Sequence, residues 1–300
     1  MARQRKLWFA LGTVVVILAA AYYWLFLEDP KLEGRFAIDL AEVRRLAVSM
    51  PGEGPRDIRF EHVMDFMAPA AATVTGDSWK QSTMWGIAYQ LVYPDHTAIL
   101  DTAMSAEQAK AFGTVTGYYQ EAFARLTQAL SQASLIFVTH EHPDHIGGLA
   151  AHPGLARMAR ASVKLTREQV AHSTEPARLP EGPYQLVEYR AYHALAPGIV
   201  LIKNPGHTPG SQMVFVRKSD GTELLFLGDV AWVMRNVDLV RSKPRYIANK
   251  IGEKREEVLP QLAAVRALML VEPKLVVVPG HDGGVITDLV KRGVLQEGFQ

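Results

Sequence analysis

Four apolar runs of the chain each lead directly into a segment that carries histidine or aspartate, and this pattern constrains the fold more than any other feature. The runs and the segments after them are LIFV (135–138) before THEHPDH, IVLI (199–202) before NPGHTPG, LLFL (224–227) before GD, and LVVV (275–278) before PGH. Buried strands that end in this way deliver their polar side chains to one rim of a sheet, where an open metal site can form.

The segment 139–145 is the most specific of the four. It places His140, His142, Asp144 and His145 within six positions. Clustered, desolvated imidazoles are costly unless a cation organises them, so the cluster predicts a metal site. The chain has no cysteine, which leaves nitrogen and oxygen donors that favour Zn²⁺ and also accept Fe or Mn. The five histidines and two aspartates of the strand ends suffice for two ions.

Short strands alternate with helices after residue 55, which predicts one mixed α/β domain at 56–300. The predicted strands are 58–60, 84–93, 97–100, 135–139, 199–203, 213–217, 223–227 and 275–278. Helices are predicted at 40–46, 106–130 and 256–270, with a shorter one after Leu165. Ser105 and Gln108 form the capping box of the second helix, and Thr166 is the N-cap of the short one.

The spacing HxHxDH, with a later His, Asp and His on strand ends, resembles the metallo-β-lactamase superfamily. The resemblance covers about residues 56–290 and implies a four-layer αββα sandwich with the metal site at one edge. By the same resemblance, His140, His142 and His207 bind a first metal ion, and Asp144, His145 and His281 bind a second. Asp229 would bridge the two ions. Asp101 follows an upstream strand and is interpreted as a residue that holds the histidine loop from outside the ligand set, with an ordinary turn residue as the alternative.

The bridging Asp229 and the lack of cysteine distinguish the chain from the β-lactamases of the superfamily. The motifs are similar to those of glyoxalase II and the acyl-homoserine lactonases, although the lactonases carry a tyrosine shortly after the bridging aspartate and Trp232 stands three residues after it here. This resemblance implies a dinuclear zinc hydrolase acting on a lactone, ester or thioester of a small molecule. The alternatives are a mononuclear iron oxidoreductase similar to persulfide dioxygenases, and β-lactamase or phosphodiesterase activity on the same fold.

The ligand set also implies a mechanism. Water shared by two cations ionises near neutral pH, and the resulting bridging hydroxide is the expected nucleophile. Asp229 would hold the two ions together, and Asp144 would both bind metal and pass a proton to the leaving group.

The N-terminus carries an uncharged stretch, residues 7–27, about 31 Å long as a helix. It predicts a transmembrane anchor between a cytoplasmic tail (1–6) and a connecting segment (28–55). Basic residues before it and acidic ones after it place the catalytic domain outside the cytoplasm, at the periplasmic face of a bacterial inner membrane. The alternative is a signal peptide cleaved near Ala19–Ala21, which would release the domain into the periplasm. A formal charge of +1 argues against nucleic acid as a partner.

Three further features are open to two interpretations. Trp79, Trp85 and Trp232 would line a substrate pocket or pack in the core. The basic residues of segment 235–255 would bind an anionic group or form a solvated face, and the solvated face is the preferred interpretation. The remaining histidines are interpreted as ordinary: His62, His96, His152, His172 and His193.

Overall fold

Two β-sheets pack face to face in the computed structural model, which describes residues 2–180, 182 and 184–300. The strands are β1 (Asp57–Pro69), β2 (Gln81–Val92), β3 (Thr97–Leu100), β4 (Val115–Tyr118), β5 (Leu135–Phe137), β6 (Lys164–Leu165), β7 (Gln185–Leu186), β8 (Tyr192–Ala196), β9 (Ile199–Lys203), β10 (Gln212–Arg217), β11 (Glu223–Phe226), β12 (Val276–Val278) and β13 (Gln296–Glu297). The first sheet has the order β13-β1-β2-β3-β5, with β4 also paired to β1. The second has the order β12-β11-β10-β9-β8, and β6 pairs with β7 separately.

The other elements are helices, several of which cover the outer surface of each sheet. They are α1 (Ala2–Tyr22), α2 (Leu40–Ala47), α3 (Ala70–Thr73), α4 (Ala106–Phe112), α5 (Gln120–Gln132), α6 (Pro143–Ala150), α7 (Leu155–Ala161), α8 (Arg167–His172), α9 (Met234–Leu239), α10 (Arg245–Ile251), α11 (Arg255–Val271) and α12 (Gly283–Lys291). A π-helical turn at Tyr23–Leu27 continues α1, and a 3-10 turn at Gly228–Val230 follows β11. Helices α4 to α7 pack on the first sheet, and α2 and α11 pack on the second.

The apolar strands are buried on both faces, which explains why they lack polar alternation. In β11, Leu224 and Phe226 point into the core between the sheets, whereas Leu225 points outwards into the layer formed with α2 and α11. In β3, Leu100 faces the other sheet and Ile99 faces the helices on the outside. The predicted four-layer αββα sandwich is confirmed.

The prediction of a single helix at 106–130 is wrong. The capping box of Ser105 and Gln108 is present, but α4 ends at Gly113, which adopts the left-handed conformation at φ 79°. The next residues form β4, whose Tyr118 pairs with Met64 of β1, and α5 begins only at Gln120. Glycine favours this helix end because it has no Cβ to clash, and the β-branched residues after it favour an extended chain.

Strand β1 is much longer than the predicted 58–60. It extends to Pro69 and shifts register between His62 and Met64, so the polar and apolar residues lose their strict alternation. This irregular pattern explains why the sequence predicted only residues 58–60 of the strand. Strand β8 was not predicted at all, whereas the predicted bounds of β3 and β9 are confirmed.

The N-terminal helix lies outside the sandwich. One continuous segment, Arg3–Leu27, is long and apolar enough to cross a membrane, with mean hydropathy 2.1 in its most apolar window, and none of that window is buried. Immediately after it the chain is held to the domain. Glu28 pairs with Arg245 at 2.6 Å and with Arg255 at 3.4 Å, and Asp29 accepts a 2.6 Å hydrogen bond from Ser242.

The side chain of Arg255 is only 3% exposed, and Glu28 and Asp29 are its two ion-pair partners among the described residues. We therefore expect a chain that begins at Pro30 to be about 2–3 kcal/mol less stable than one that begins at Leu27, because it leaves a buried guanidinium without its carboxylates. Urea denaturation of the two truncated chains measures the difference.

The matched control is the Glu28→Gln/Asp29→Asn variant of the longer chain, which should lose a similar amount. Arg245 and Arg255 outweigh the effect of burial and lower the pKa of Glu28 from its ordinary value of 4.5. Its ionised form therefore stabilises the fold above that pH, and the difference should shrink as the pH falls through the lowered pKa. Equal stability at pH 7 would contradict this role.

Candidate metal centre

Loops that follow strands of both sheets meet at one edge of the sandwich. They bring all seven predicted ligand side chains together: His140 and His142 after β5, Asp144 and His145 in the first turn of α6, His207 after β9, Asp229 after β11 and His281 after β12. Six of them are buried, and the side chain of His142 is partly exposed. The backbone must approach closely here, since a Cβ on Gly280 would lie 2.4 Å from Asp229 Oδ1.

The first group of ligand atoms comes from His140, His142, His207 and Asp229. His142 Nδ1 lies 2.9 Å from His207 Nε2 and 3.2 Å from His140 Nε2. Asp229 Oδ2 lies 3.4 Å from His207 Nε2 and 3.7 Å from His140 Nε2. Neighbouring ligand atoms of a tetrahedral site with metal–nitrogen distances of about 2.1 Å lie about 3.4 Å apart. The spacing of the first group fits such a site.

The second group comes from Asp144, His145, His281 and the other oxygen of Asp229. Asp229 Oδ1 lies 3.0 Å from His281 Nε2 and 3.2 Å from His145 Nε2. Asp144 Oδ2 lies 3.5 Å from His281 Nε2 and 3.8 Å from His145 Nε2. The two oxygens of Asp229 therefore face different groups, which is the arrangement of a carboxylate that bridges two ions.

Two buried atoms support the fit to a cation. Among the residues that the structure describes, His145 Nε2 and Asp229 Oδ1 have no hydrogen-bond partner. Buried polar atoms in folded proteins are almost always paired, and an imidazole nitrogen with a carboxylate oxygen is a typical donor set for a divalent cation. The two groups thus form a candidate dimetal site.

Outer partners hold the imidazole rings with one nitrogen turned inwards. Asp101 Oδ2 lies 2.9 Å from His145 Nδ1, and the other oxygen of Asp101 accepts a 2.7 Å bond from the Thr139 amide. His281 Nδ1 lies 2.8 Å from the carbonyl oxygen of Trp85. Such contacts fix the tautomer and orientation of metal-binding histidines. The structure therefore places Asp101 behind the ligand loop. The backbone of Asp101 itself is strained, with a φ of 58°.

The electrostatics keep two histidines of the first group, His140 and His142, neutral. Burial holds the pKa of His140 and His142 well below the usual value for histidine, and neighbouring imidazoles add to the effect. Burial alone would raise the pKa of Asp229, but His281 and then His145 outweigh it and hold that pKa well below its usual value. In the first group, neutral His140 and His142 beside the ionised Asp229 are the protonation states that bind a divalent cation.

Comparison with known proteins identifies the family. Residues 86–281, more than half of the chain, match the family model described as the metallo-beta-lactamase superfamily. The chain belongs to this superfamily.

Relatives of this superfamily member are named as a hydrolase and as a lactonase. The chain is 35% identical over 115 residues to a hydroxyacylglutathione hydrolase of Albidiferax ferrireducens, a match that covers 38% of this chain and 40% of the relative. It is 27% identical over 106 residues to an N-acyl homoserine lactonase of Bacillus thuringiensis, which covers 34% of this chain and 40% of that relative. The matched segments thus span less than half of either relative.

Solved structures support the fold. An N-acyl homoserine lactone hydrolase, with N-hexanoyl-L-homoserine bound at its catalytic metal centre, aligns with a TM-score of 0.63 and 17% identity, over 78% of this chain and 96% of its own. A dizinc quorum-quenching lactonase in complex with a product aligns with a TM-score of 0.52 and 14% identity, over 76% and 89%. At these identities the superfamily member shares the fold with both structures.

Two residues behind the first group were not singled out from the sequence. Glu253 Oε2 lies 2.7 Å from His207 Nδ1 and accepts a 2.6 Å hydrogen bond from Lys243 Nζ. The side chains of both charged residues are fully buried. The preferred interpretation of segment 235–255 as a solvated face is therefore wrong for Lys243 and also for Arg255, which is 2% exposed. The segment has no local signature for such burial, because Glu253 contacts the distant His207 and Arg255 pairs with the distant Glu28 and Asp29.

The three tryptophans have separate locations. Trp79 is 54% exposed and contacts the N-terminal helix, so the prediction that it lines the core or a pocket with the others is wrong. Trp85 stacks on His62 with ring centroids 4.0 Å apart. Trp232 contacts the metal centre, where its Nε1 donates a 2.7 Å hydrogen bond to Asp229 Oδ2. None of the five histidines interpreted as ordinary belongs to either ligand group found among the described residues.

The Trp232 contact leads to a prediction. We expect Trp232→Phe to weaken metal binding about 10–100-fold, because an outer partner of a ligating carboxylate is removed while the ring volume is nearly kept. Competition with a chromophoric chelator measures the affinity. Tyr93→Phe is the matched control, since its hydroxyl donates to the Pro197 carbonyl at 2.8 Å, outside the metal centre. Unchanged affinity in both variants would contradict the role of Trp232.

Proposed function

We propose that this protein is a dinuclear, zinc-dependent hydrolase that cleaves a lactone, ester or thioester of a small molecule. The observation that carries the proposal is the division of Asp229 between two groups of buried ligand atoms. Nitrogen and oxygen donors without thiolates favour zinc, and a shared carboxylate favours two ions over one. The names of the relatives, a hydroxyacylglutathione hydrolase and an N-acyl homoserine lactonase, support acyl compounds as the substrate class.

The residues of the candidate metal centre would have different roles in hydrolysis. When bound, two divalent cations would activate a water molecule as hydroxide and polarise the scissile carbonyl. Asp229 would hold the spacing of the ions, and the outer partners of the histidines would keep the ligand atoms in place before substrate arrives. The side chain of Asp144 is 11% exposed, and that of His142 in the first group is partly exposed. The carboxylate of Asp144 could accept the proton that the nucleophilic water releases and pass it to the leaving group.

We further propose that Arg3–Leu27 anchors the protein in a membrane and that the domain lies outside the cytoplasm. The segment has the length and hydropathy of a spanning helix, and tyrosine and tryptophan at 22–24 suit the lipid–water interface. Membrane fractionation and sequencing of the mature N-terminus test this. A soluble chain that begins near Tyr22 would instead indicate a cleaved signal peptide.

The metal content of the full-length protein, purified in detergent without added metal, tests the dinuclear assignment. We expect about two zinc ions per chain by elemental analysis, in line with two groups of ligands. One iron per chain, with oxygen consumption in the presence of thiol or persulfide substrates, would overturn the hydrolase assignment and favour the oxidoreductase alternative.

The substrate class requires a separate assay. The metal-loaded protein is offered lactones, thioesters, phosphodiesters and β-lactams at equal concentration, with and without a chelator. We expect hydrolysis of the acyl substrates that is lost with the chelator and restored by zinc. Preference for a phosphodiester or a β-lactam would keep the metallohydrolase and reject the acyl substrate class.

A further inference from the structure

The end of the N-terminal helix packs on a defined face of the catalytic domain. We name the side chains Trp79, Arg245 and Tyr246 the helix-docking face. Trp79 Nε1 donates a 2.9 Å hydrogen bond to the hydroxyl of Tyr22, and the two rings stack 6.4 Å apart. The ring of Phe26 lies 5.4 Å from Trp79 and 5.6 Å from Tyr246. The contact is therefore made by aromatic side chains on both partners.

No free linker separates the helix from the domain. The carbonyl oxygen of Phe26 accepts a 2.9 Å hydrogen bond from the Gly76 amide, and Arg245 lies 4.8 Å above the ring of Trp24. The ion pairs of Glu28 and Asp29 with the domain follow at once along the chain. The orientation of the domain relative to the helix is thus fixed by contacts on both sides of the junction.

The position of these contacts along the apolar segment indicates how deep the domain side chains lie. Tyr22 and Phe26 belong to the apolar segment, and Tyr22 precedes its end at Leu27 by five residues, or about 8 Å of helix. Domain side chains that touch Tyr22 must lie at the same depth as Tyr22. Trp79 and Tyr246 remain 54% and 50% exposed after this packing. Tryptophan and tyrosine are the side chains that concentrate at the lipid–water interface.

We propose that the helix-docking face lies within the lipid–water interface of the bilayer, so that the domain rests on the membrane instead of standing off it. The inference depends on the proposed anchor and adds a second membrane contact, made by the domain itself. The exposed Lys80 next to Trp79 provides a cation for lipid headgroups. The hairpin that carries Trp79 continues into β2, where Trp85 contacts His281. This places the candidate metal centre within about 20 Å of the bilayer surface.

The experiment uses the natural lack of cysteine, because one introduced cysteine gives one labelled site. The full-length protein is reconstituted in phosphatidylcholine/phosphatidylglycerol vesicles with a nitroxide at Lys80→Cys, Val16→Cys or Ser219→Cys. Ser219 is a matched exposed control: its amide donates to Pro55 at the far end of β1, which is 13 residues or about 40 Å from the hairpin end. Power saturation then compares collision of each label with oxygen and with a polar nickel complex.

We expect the Val16 label to collide mainly with oxygen and the Ser219 label mainly with nickel. The Lys80 label should shift clearly from the Ser219 value towards oxygen. A Val16 label in lipid with equal values at Lys80 and Ser219 would overturn the inference and leave the anchor intact. A Val16 label in water would reject the anchor and the inference together. Neither readout depends on hydrolysis, so the enzymatic proposal is tested separately.

Discussion

Asp229→Ala is expected to abolish the binding of two metal ions and to reduce hydrolysis by more than about 100-fold, because even outer partners of metal ligands cost 10–100-fold when removed. The carboxylate is 4% exposed and supplies one oxygen to each ligand group. Its loss removes a donor from both groups and also leaves the Trp232 indole without its acceptor. Elemental analysis and the acyl-substrate assay measure the two effects.

Asp144→Ala is the comparison that makes the result specific. Asp144 belongs to the second group only, so this variant should keep the three histidines and the carboxylate of the first. We expect it to retain about one ion per chain, whereas the Asp229 variant should retain less. Circular dichroism checks that both variants are folded. A fully active Asp229→Ala protein with two bound ions would reject the bridging role.

The sequence predicts the metal centre well because its ligands follow local rules. Each candidate ligand lies in the loop or the first helical turn that follows an apolar strand, and strand ends that share an edge of the sandwich must bring these side chains together. The same reasoning predicts the four layers, since strands without polar alternation, such as β9 and β11, must be covered on both faces. These features depend on short stretches of chain and on the regular geometry of β-sheets.

The features that the sequence does not predict depend on distant contacts. The helix expected at 106–130 is divided because β4 finds pairing partners on β1, about 50 positions earlier in the chain. Similarly, nothing near Glu141 indicates its role, yet its buried carboxylate accepts hydrogen bonds from the Thr208 hydroxyl and the Gly210 amide. That contact joins the loops after β5 and β9, and a Cβ on Gly210 would lie 2.4 Å from Glu141 Oε2. Local propensity cannot anticipate such pairings.

Lys243 and Glu253 are also not predicted from the sequence, and they lead to the second large prediction. Lys243 Nζ also donates a 2.6 Å bond to the carbonyl oxygen of Asp229, so one ammonium contacts both Asp229 and Glu253, the partner of His207. We expect Lys243→Met to destabilise the fold by about 3–5 kcal/mol, because Glu253 is left as a buried charge without its cationic partner. Urea denaturation of the metal-free protein measures this loss.

The double variant Lys243→Met/Glu253→Gln separates charge burial from ligand positioning. Burial alone would raise the pKa of Glu253, but Lys243 and then His207 lower it, so the carboxylate is ionised in the native protein. Replacing both partners removes the unpaired charge, and much of the lost stability should return. Metal affinity should stay about 10–100-fold weaker, because His207 has lost the carboxylate that orients its ring. If the double variant regains both stability and metal affinity, the pair contributes only to folding; if it regains stability alone, Glu253 positions His207 for the metal.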